Sequence, residues 1–216
     1  MSWVVLLRGA NVGGHRTFRP TELVAALPDL ALRSIGAAGT FVAGTARPES
    51  KVRASIRATL PFDASVTVVP GAAVARLLER PPSLVDPHDP TERRFATVSD
   101  KPLPGTPRVP IIAPSGDAWQ VRIQAVHGPF AVGVSRRFGP RVLYPSEVVE
   151  KAFGVPATTR WWETMEAIGR CLKDVEGPSE PGSPAVLTAR RSSQRTRVAA
   201  ALRPGAGRAA GRRSGR

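Results

Sequence analysis

The sequence has few of the side chains that carry out most enzyme chemistry. Among its 216 residues are one cysteine, Cys171, and three histidines, His15, His88 and His127. A single thiol excludes an internal disulfide and a multi-cysteine zinc site, as is typical of a reducing compartment. The histidines are isolated and lack the i, i+4 or H-E-x-x-H spacing of metal ligands. We therefore expect neither a metal nor a cofactor.

Long apolar runs are also missing. No stretch approaches the roughly 18 consecutive apolar residues of a membrane span. The short apolar run after Met1 is interrupted by Arg8, and it has neither a basic leader nor a small-residue cleavage site. The sequence therefore predicts a cytoplasmic protein without a membrane partner.

No catalytic residue stands out in the sequence. Ser34, Ser115 and Ser135 do not lie in a G-x-S-x-G turn. Cys171 lies beside Leu172 in an apolar segment with helical periodicity, which indicates a packed thiol rather than a nucleophile. The sequence leaves open whether the protein is an enzyme.

Acidic residues are scarce relative to basic ones, and the formal net charge is +14. The excess is uneven, because residues 177–216 hold nine arginines and one acid, Glu180, for a net charge of +8. This segment lacks apolar periodicity and is rich in Ala, Gly, Pro and Ser, so we expect a disordered tail. Such a tail is suited to non-specific nucleic-acid contact, or it reflects the codon composition of a GC-rich genome.

Periodic segments in the first 80 residues predict an α/β-plait subdomain. The pattern predicts strands at 3–7, 30–35, 40–43 and 65–69, and helices at 20–27, 49–60 and 72–79. The apolar run 3–7 is continuous, which is typical of a central strand buried on both faces. The order β-α-β-β-α-β is that of the ferredoxin-like split βαβ unit.

The proline-rich stretch 81–90 predicts a linker to a second α+β subdomain over residues 91–176. The pattern there predicts strands at 95–98, 109–113, 119–126 and 130–134, and helices at 146–153 and 160–175. Ser146 is expected to cap the first of these helices. The predicted fold class is thus α+β, with two ferredoxin-like (α/β-plait) subdomains, 1–80 and 91–176, followed by the disordered tail.

The most distinctive stretch is the loop that follows the first strand. Gly9, Gly13 and Gly14 allow positive φ and leave backbone N–H groups uncovered, while Arg8 and Arg16 bracket them with fixed positive charge. This combination predicts a cradle for an anion. An equally simple interpretation is a tight connection whose glycines only turn the chain. Neither the P-loop pattern nor G-x-G-x-x-G is present.

Two spaced motifs resemble one bacterial family. Residues 6–14, LLRGANVGG, are similar to the opening L-L-R-G-I-N-V-G-G of the domain-of-unknown-function family 1697 (DUF1697), with Ala10 in place of isoleucine. Residues 150–164, EKAFGVPATTRWWET, resemble its closing L-E-K-A-L-G-x-x-A-T-T-R-N-W-N-T. The resemblance covers about residues 1–172 and implies an α/β-plait fold, but it implies no particular reaction.

The departures from the family pattern fall on polar positions. Residues 37–40 read AAGT where relatives have Q-S-G-N, which keeps the glycine and removes most side-chain hydrogen-bonding groups. An S-K pair is replaced by Val142 and Leu143, and the closing N-W-N becomes WWE at 161–163. If these positions form a family site, this member has lost part of it.

Three interpretations of function remain open. In the first, the body binds a small anionic ligand through the loop and Arg160, using Arg8, Gly9, Asn11, Gly13, Gly14, Arg16 and Arg160. In the second, the protein is an interaction module that contacts nucleic acid or an acidic partner through its basic surface and tail. In the third, both motifs serve only the fold of a degenerate member. We favour the first, because the best-preserved motif is the loop and the excess charge lies outside the family region.

Overall fold

The structure, a computed structural model, describes residues 1–11, 16–81 and 91–177. These residues all belong to one compact unit, Met1–Ser179. Gly13 and Gly14, most of the predicted linker and nearly all of the predicted tail lie outside the described residues. The division into two subdomains at 81–90 stays a prediction.

The first half of the chain builds a four-stranded antiparallel sheet. Its strands lie in the order β2-β3-β1-β4 and are β1 Trp3–Leu7, β2 Leu32–Ser34, β3 Thr40–Ala43 and β4 Val66–Pro70. Three α-helices accompany them, α1 Pro20–Ala26, α2 Glu49–Thr59 and α3 Gly71–Glu79. The elements therefore follow one another along the chain in the predicted order.

β1 is the central strand that its apolar run predicts. It pairs with β3 on one side and with β4 on the other. Val5 and Leu7 pack into a cluster with residues of α1 and α2, whereas Val4 and Leu6 pack into a cluster on the opposite face. A strand whose two faces are both buried must be apolar at every position, which explains the unbroken run.

The second half builds a five-stranded antiparallel sheet. Its strands lie in the order β6-β7-β8-β5-β9 and are β5 Glu92–Ser99, β6 Ile111–Ala113, β7 Val121–His127, β8 Phe130–Arg136 and β9 Ala157–Trp161. The helices are α4 Pro145–Phe153 and α5 Trp162–Glu176. The protein is thus a mixed α+β protein with two antiparallel sheets. None of the described helices is long and apolar enough to cross a membrane.

Two local predictions in the second half are wrong. Residues 160 and 161 were expected to begin the last helix, but they lie in β9, and α5 begins at Trp162. Pairing of β9 with β5 outweighs the helical periodicity at this point. Ser146 lies inside α4 and does not cap it, because Pro145 takes the first helical position and Tyr144 becomes the N-cap.

A shared core joins the two sheets through α3 and α5. One continuous cluster contains Val4 and Leu6 of β1, Val98 of β5, and Met165 and Ile168 of α5. α5 contacts β5 and β9 of the second sheet, β3 of the first sheet and α3, so it connects the two halves. Every residue of this cluster named here is nearly inaccessible to solvent.

One position on the outer edge of the first sheet is covered by a side chain from the second half. Asp100, directly after β5, accepts a hydrogen bond from the backbone N–H of Val68 in β4 at 3.1 Å. It also pairs with Arg53 of α2 through two contacts of 2.9 Å, and Arg53 in turn binds Glu49 at 2.5 Å. We call these residues the Asp100 clasp.

Candidate functional site

Arg8 leaves the end of β1 and pairs with a carboxylate that the sequence did not suggest. Its Nη2 donates to Glu150 Oε2 at 2.8 Å, and its Nη1 donates to Glu150 Oε1. The same Oε1 accepts the backbone N–H of Ala157 at 2.9 Å, so Glu150 links α4, β9 and the loop. The side chain of Arg8 is 41% exposed, which leaves part of its guanidinium open to solvent.

The described part of the loop has the backbone that its glycines suggest. Gly9 is exposed and adopts φ of +66°, and among the described residues none accepts a hydrogen bond from its N–H. The side chain of Arg16 lies beside Gly9, because its Nη1 is 3.9 Å from the position that a Cβ on Gly9 would occupy. The loop thus brings an uncovered backbone donor next to an exposed arginine.

Asn11 holds the loop together from within. It adopts a left-handed backbone with φ of +54°, which asparagine tolerates better than most residues. Its Nδ2 donates to the carbonyls of Phe18 at 3.0 Å and Ala37 at 2.7 Å, and its Oδ1 accepts the N–H of Phe18 at 2.9 Å. Both amide hydrogens are therefore engaged within the protein, and Asn11 fixes the shape of the loop.

Arg160 extends from β9 to the end of β1 and uses all five of its N–H groups. Its partners are neutral oxygens at 2.7–3.2 Å: Thr40 Oγ1, Thr158 Oγ1 and the carbonyls of Leu7, Ala38, Gly39 and Thr159. The side chain is mostly buried between the two sheets. Arg160 is thus a bridge between β9, β1 and the segment before β3.

The charge of Arg160 is not neutralised by any carboxylate among the described residues. Burial lowers the pKa of Arg160 to about 10, because the low-dielectric surroundings disfavour the cation. Arg8, Arg16 and Arg160 therefore place three positive charges around the end of β1, where the carboxylate of Glu150 pairs with Arg8. We call this group of residues, together with Gly9, the loop site.

The other candidate groups of the sequence lie apart from the loop site. Cys171 is in α5 and packs against the core between the sheets, and burial raises the pKa of its thiol. No group of three metal-ligating side chains occurs in the part of the chain that the structure describes. Of the histidines, only His127 is described, and it is exposed at the end of β7.

Comparisons with known proteins agree with the loop motif. The family model described as "Protein of unknown function (DUF1697)" matches residues 1–122. The chain belongs to this family. No curated protein matches the sequence.

One solved structure shows a fold similar to that of this DUF1697 member. It is the conserved bacterial protein SP0830 from Streptococcus pneumoniae, with 18% sequence identity and a TM-score of 0.51. The alignment covers 80% of this chain and 98% of that chain. At this level of identity the similarity concerns the fold alone.

The structure brings together several residues that the sequence nominated separately. Arg8, Gly9 and Asn11 lie within the DUF1697 match, whereas Arg160 lies beyond it, yet it contacts the carbonyl of Leu7 directly before Arg8. Residues 37–40 differ from the family pattern in their side chains, but they still bind Arg160, because Ala38 and Gly39 accept its hydrogen bonds through backbone oxygens. Sequence reasoning missed Glu150, although it is the first residue of the closing motif.

Proposed function

We propose that this DUF1697 member binds a small anion, a phosphate or a carboxylate, at the loop site. The observation that carries the proposal is Arg160, a mostly buried cation surrounded only by neutral oxygens among the described residues. An anion a few ångströms away would offset the cost of its burial by direct Coulomb attraction. We further infer that the first half is ferredoxin-like, which the strand order β2-β3-β1-β4 supports.

The roles within the loop site follow from which N–H groups are already bonded. Arg160 acts through its field, since its five N–H groups have acceptors inside the protein. We expect the anion to contact three groups directly: the backbone N–H of Gly9, the exposed side chain of Arg16 and the N–H groups of Arg8 that do not face Glu150. Asn11 contributes by fixing the loop, and Gly13 and Gly14 by keeping it free of side chains.

Substitution of Arg8 tests whether this side chain contributes to anion binding. We expect Arg8→Gln to weaken binding of phosphate or a short dicarboxylate at least about tenfold, because it removes a charge-assisted contact and leaves Glu150 as an unpaired repulsive charge. Thermal shift and titration calorimetry on the full chain measure this effect. Arg57→Gln is the matched control, because Arg57 is an exposed arginine of α2 on another part of the protein.

Substitution of Glu150 should act on stability and binding in opposite directions. Glu150→Gln keeps the shape of the side chain but removes its charge, so we expect the free energy of unfolding to fall by about 1 kcal/mol. The same change makes the loop site more positive and should tighten anion binding about threefold. Urea unfolding and calorimetry give the two quantities separately.

These variants also define what would contradict the proposal. If no phosphate, nucleotide or short carboxylate raises the melting temperature of the wild-type chain, the loop site is not an anion site. If Arg8→Gln lowers the melting temperature without changing any ligand response, Arg8 serves only to pair with Glu150. A weaker affinity in Glu150→Gln would likewise contradict an electrostatic site.

A further inference from the structure

A stack of cationic and aromatic side chains lies at one end of the second sheet, and none of its residues belongs to the loop site. Trp119, just before β7, has the guanidinium of Arg122 over its ring at 4.2 Å and that of Arg136 at 4.2 Å. The guanidinium of Arg136 also lies 5.5 Å from the ring centre of Phe138. We call Arg122, Trp119, Arg136 and Phe138 the corner stack.

The inner part of the corner stack is held in place by backbone contacts. Arg136 donates from its Nε to the carbonyl of Trp119 at 2.8 Å and from its Nη2 to the carbonyl of Asp117. Its own N–H donates to the carbonyl of Gln120 at 2.8 Å. The position of Arg136 is therefore fixed before any partner arrives, which lowers the entropic cost of binding.

The outer end of the corner stack faces solvent. Trp119 is only 7% exposed, whereas Phe138 is 49% exposed. The described residues contain five exposed large hydrophobic side chains, and four of them lie in this part of the chain: Ile112, Phe138, Val142 and Tyr144. Ile112 is directly opposite Arg122 in the pairing of β6 with β7, so a second exposed apolar residue borders the corner stack, and neighbouring exposed apolar groups mark a binding surface more often than scattered ones do.

The segment that carries these exposed apolar groups is positively charged. Residues 105–144 contain five arginines and one acidic residue, Asp117. Arg137 and Arg141 are both exposed and flank Phe138 along the chain. Gln120, the residue after Trp119, binds the segment that contains Arg141. Its Nε2 donates to the carbonyl of Arg141 at 2.9 Å, and its Oε1 accepts the N–H of Leu143 at 2.9 Å.

We infer that the corner stack and its flanking arginines bind single-stranded nucleic acid. An unpaired base stacks on the exposed ring of Phe138 and extends the alternation of planar groups, while Arg137 and Arg141 contact the phosphates on either side. A duplex cannot offer an unpaired base to this ring, because its bases are already stacked and paired. An acidic protein would use the arginines but has no need of the aromatic face.

This inference is independent of the anion site and of the basic tail. The tail's charge adds affinity that falls with salt, but its residues 177–216 contain no aromatic side chain for stacking. Substitution of Phe138 leaves the net charge unchanged, so its effect reports stacking and not attraction by the tail. Because Phe138 is half-exposed, its replacement should leave the fold intact.

Fluorescence anisotropy of the full chain with a labelled oligouridylate of about 12 nucleotides tests the inference. We expect Phe138→Ala to weaken binding at least about fivefold with no change in the salt dependence, and Phe138→Trp to restore it. Arg137→Ala combined with Arg141→Ala should reduce the slope of log affinity against log salt by about 1.4. Arg57→Ala combined with Arg76→Ala removes the same charge from exposed helix positions and is the control.

The contrary results are equally specific. The inference is wrong if wild-type protein does not bind the oligonucleotide, or if Phe138→Ala binds as tightly as wild type does. It is also wrong if a duplex of the same length binds more tightly than the single strand, which would indicate attraction by charge alone. Competition by polyglutamate as effective as by unlabelled oligouridylate would identify an acidic protein partner instead.

Discussion

Gly133→Ala is expected to lower the free energy of unfolding by about 3 kcal/mol or more, which is a large fraction of the total stability of an ordinary domain. Gly133 lies in β8, and a Cβ there would overlap the carbonyl oxygen of Arg122 in the neighbouring strand β7. It would also lie 2.9 Å from the carbonyl carbon of Arg122 and 3.0 Å from Cα of Ile123. These atoms are backbone and cannot move aside by a change of rotamer.

The geometry of β7 explains why glycine is needed here. The register between β7 and β8 shifts between Ile123 and Ala125, which marks a bulge opposite Gly133. A bulge bends its strand and brings the backbones closer locally, so a side chain on the partner strand has no room. Relief of the overlap would require β7 and β8 to separate and lose ladder hydrogen bonds.

Gly105→Ala is the matched control for this experiment. A Cβ on Gly105 would have no heavy atom within 4 Å, and its backbone does not need positive φ. The change should alter stability by no more than about 0.5 kcal/mol. Urea unfolding of both variants measures the difference, and equal stability of Gly133→Ala and Gly105→Ala would show that the bulge is absent in solution.

Arg160→Met is expected to lower the free energy of unfolding by about 3 kcal/mol. Two effects oppose one another. Removing the cation relieves its burial, whose cost is visible in the lowered pKa of Arg160, about 10. However, the substitution also removes the donors to six oxygens, and each of these acceptors that is buried and left without a partner costs about 1–3 kcal/mol. The loss of the six bonds outweighs the relief.

Arg160→Lys separates charge from geometry. Lysine keeps the positive charge but has three N–H groups on one nitrogen, so it cannot reach acceptors on β1, β3 and β9 at once. We therefore expect a stability between those of Arg160→Met and wild type, measured by urea unfolding. A lysine variant as stable as wild type would mean that the charge alone matters, and an equally stable methionine variant would contradict the bridging role.

The sequence predicted best those elements whose pattern of apolar and polar residues lies within a few neighbouring positions. The bounds predicted for β1 and β3 are confirmed at 3–7 and 40–43, because a continuous apolar run bounded by glycine or polar residues identifies a buried strand. β9 was missed because it passes into α5 with no glycine or proline between them, and only pairing with β5 distinguishes the two. Such pairing joins residues about sixty positions apart and has no local signal.

The sequence also could not predict contacts in the candidate site between residues that are far apart along the chain. The glycine loop, Arg8 and Arg160 were named from short motifs, and the structure places them around the end of β1. Glu150 was not assigned a role, because its partner Arg8 lies 142 positions away in the sequence. The partners of Arg160 are mostly backbone carbonyls, which every residue type possesses, so the sequence could not identify them.

The Asp100 clasp bears on how strands of other chains could reach the edge of the first sheet. β4 is an outer strand, and outer strands offer unpaired backbone groups to strands of other chains, which leads to aggregation. By accepting the N–H of Val68 and carrying a charge paired with Arg53, Asp100 occupies one position of that edge. An incoming strand would have to displace an ion pair before it could form its first hydrogen bond there. The second half thereby covers part of the exposed edge of the first sheet.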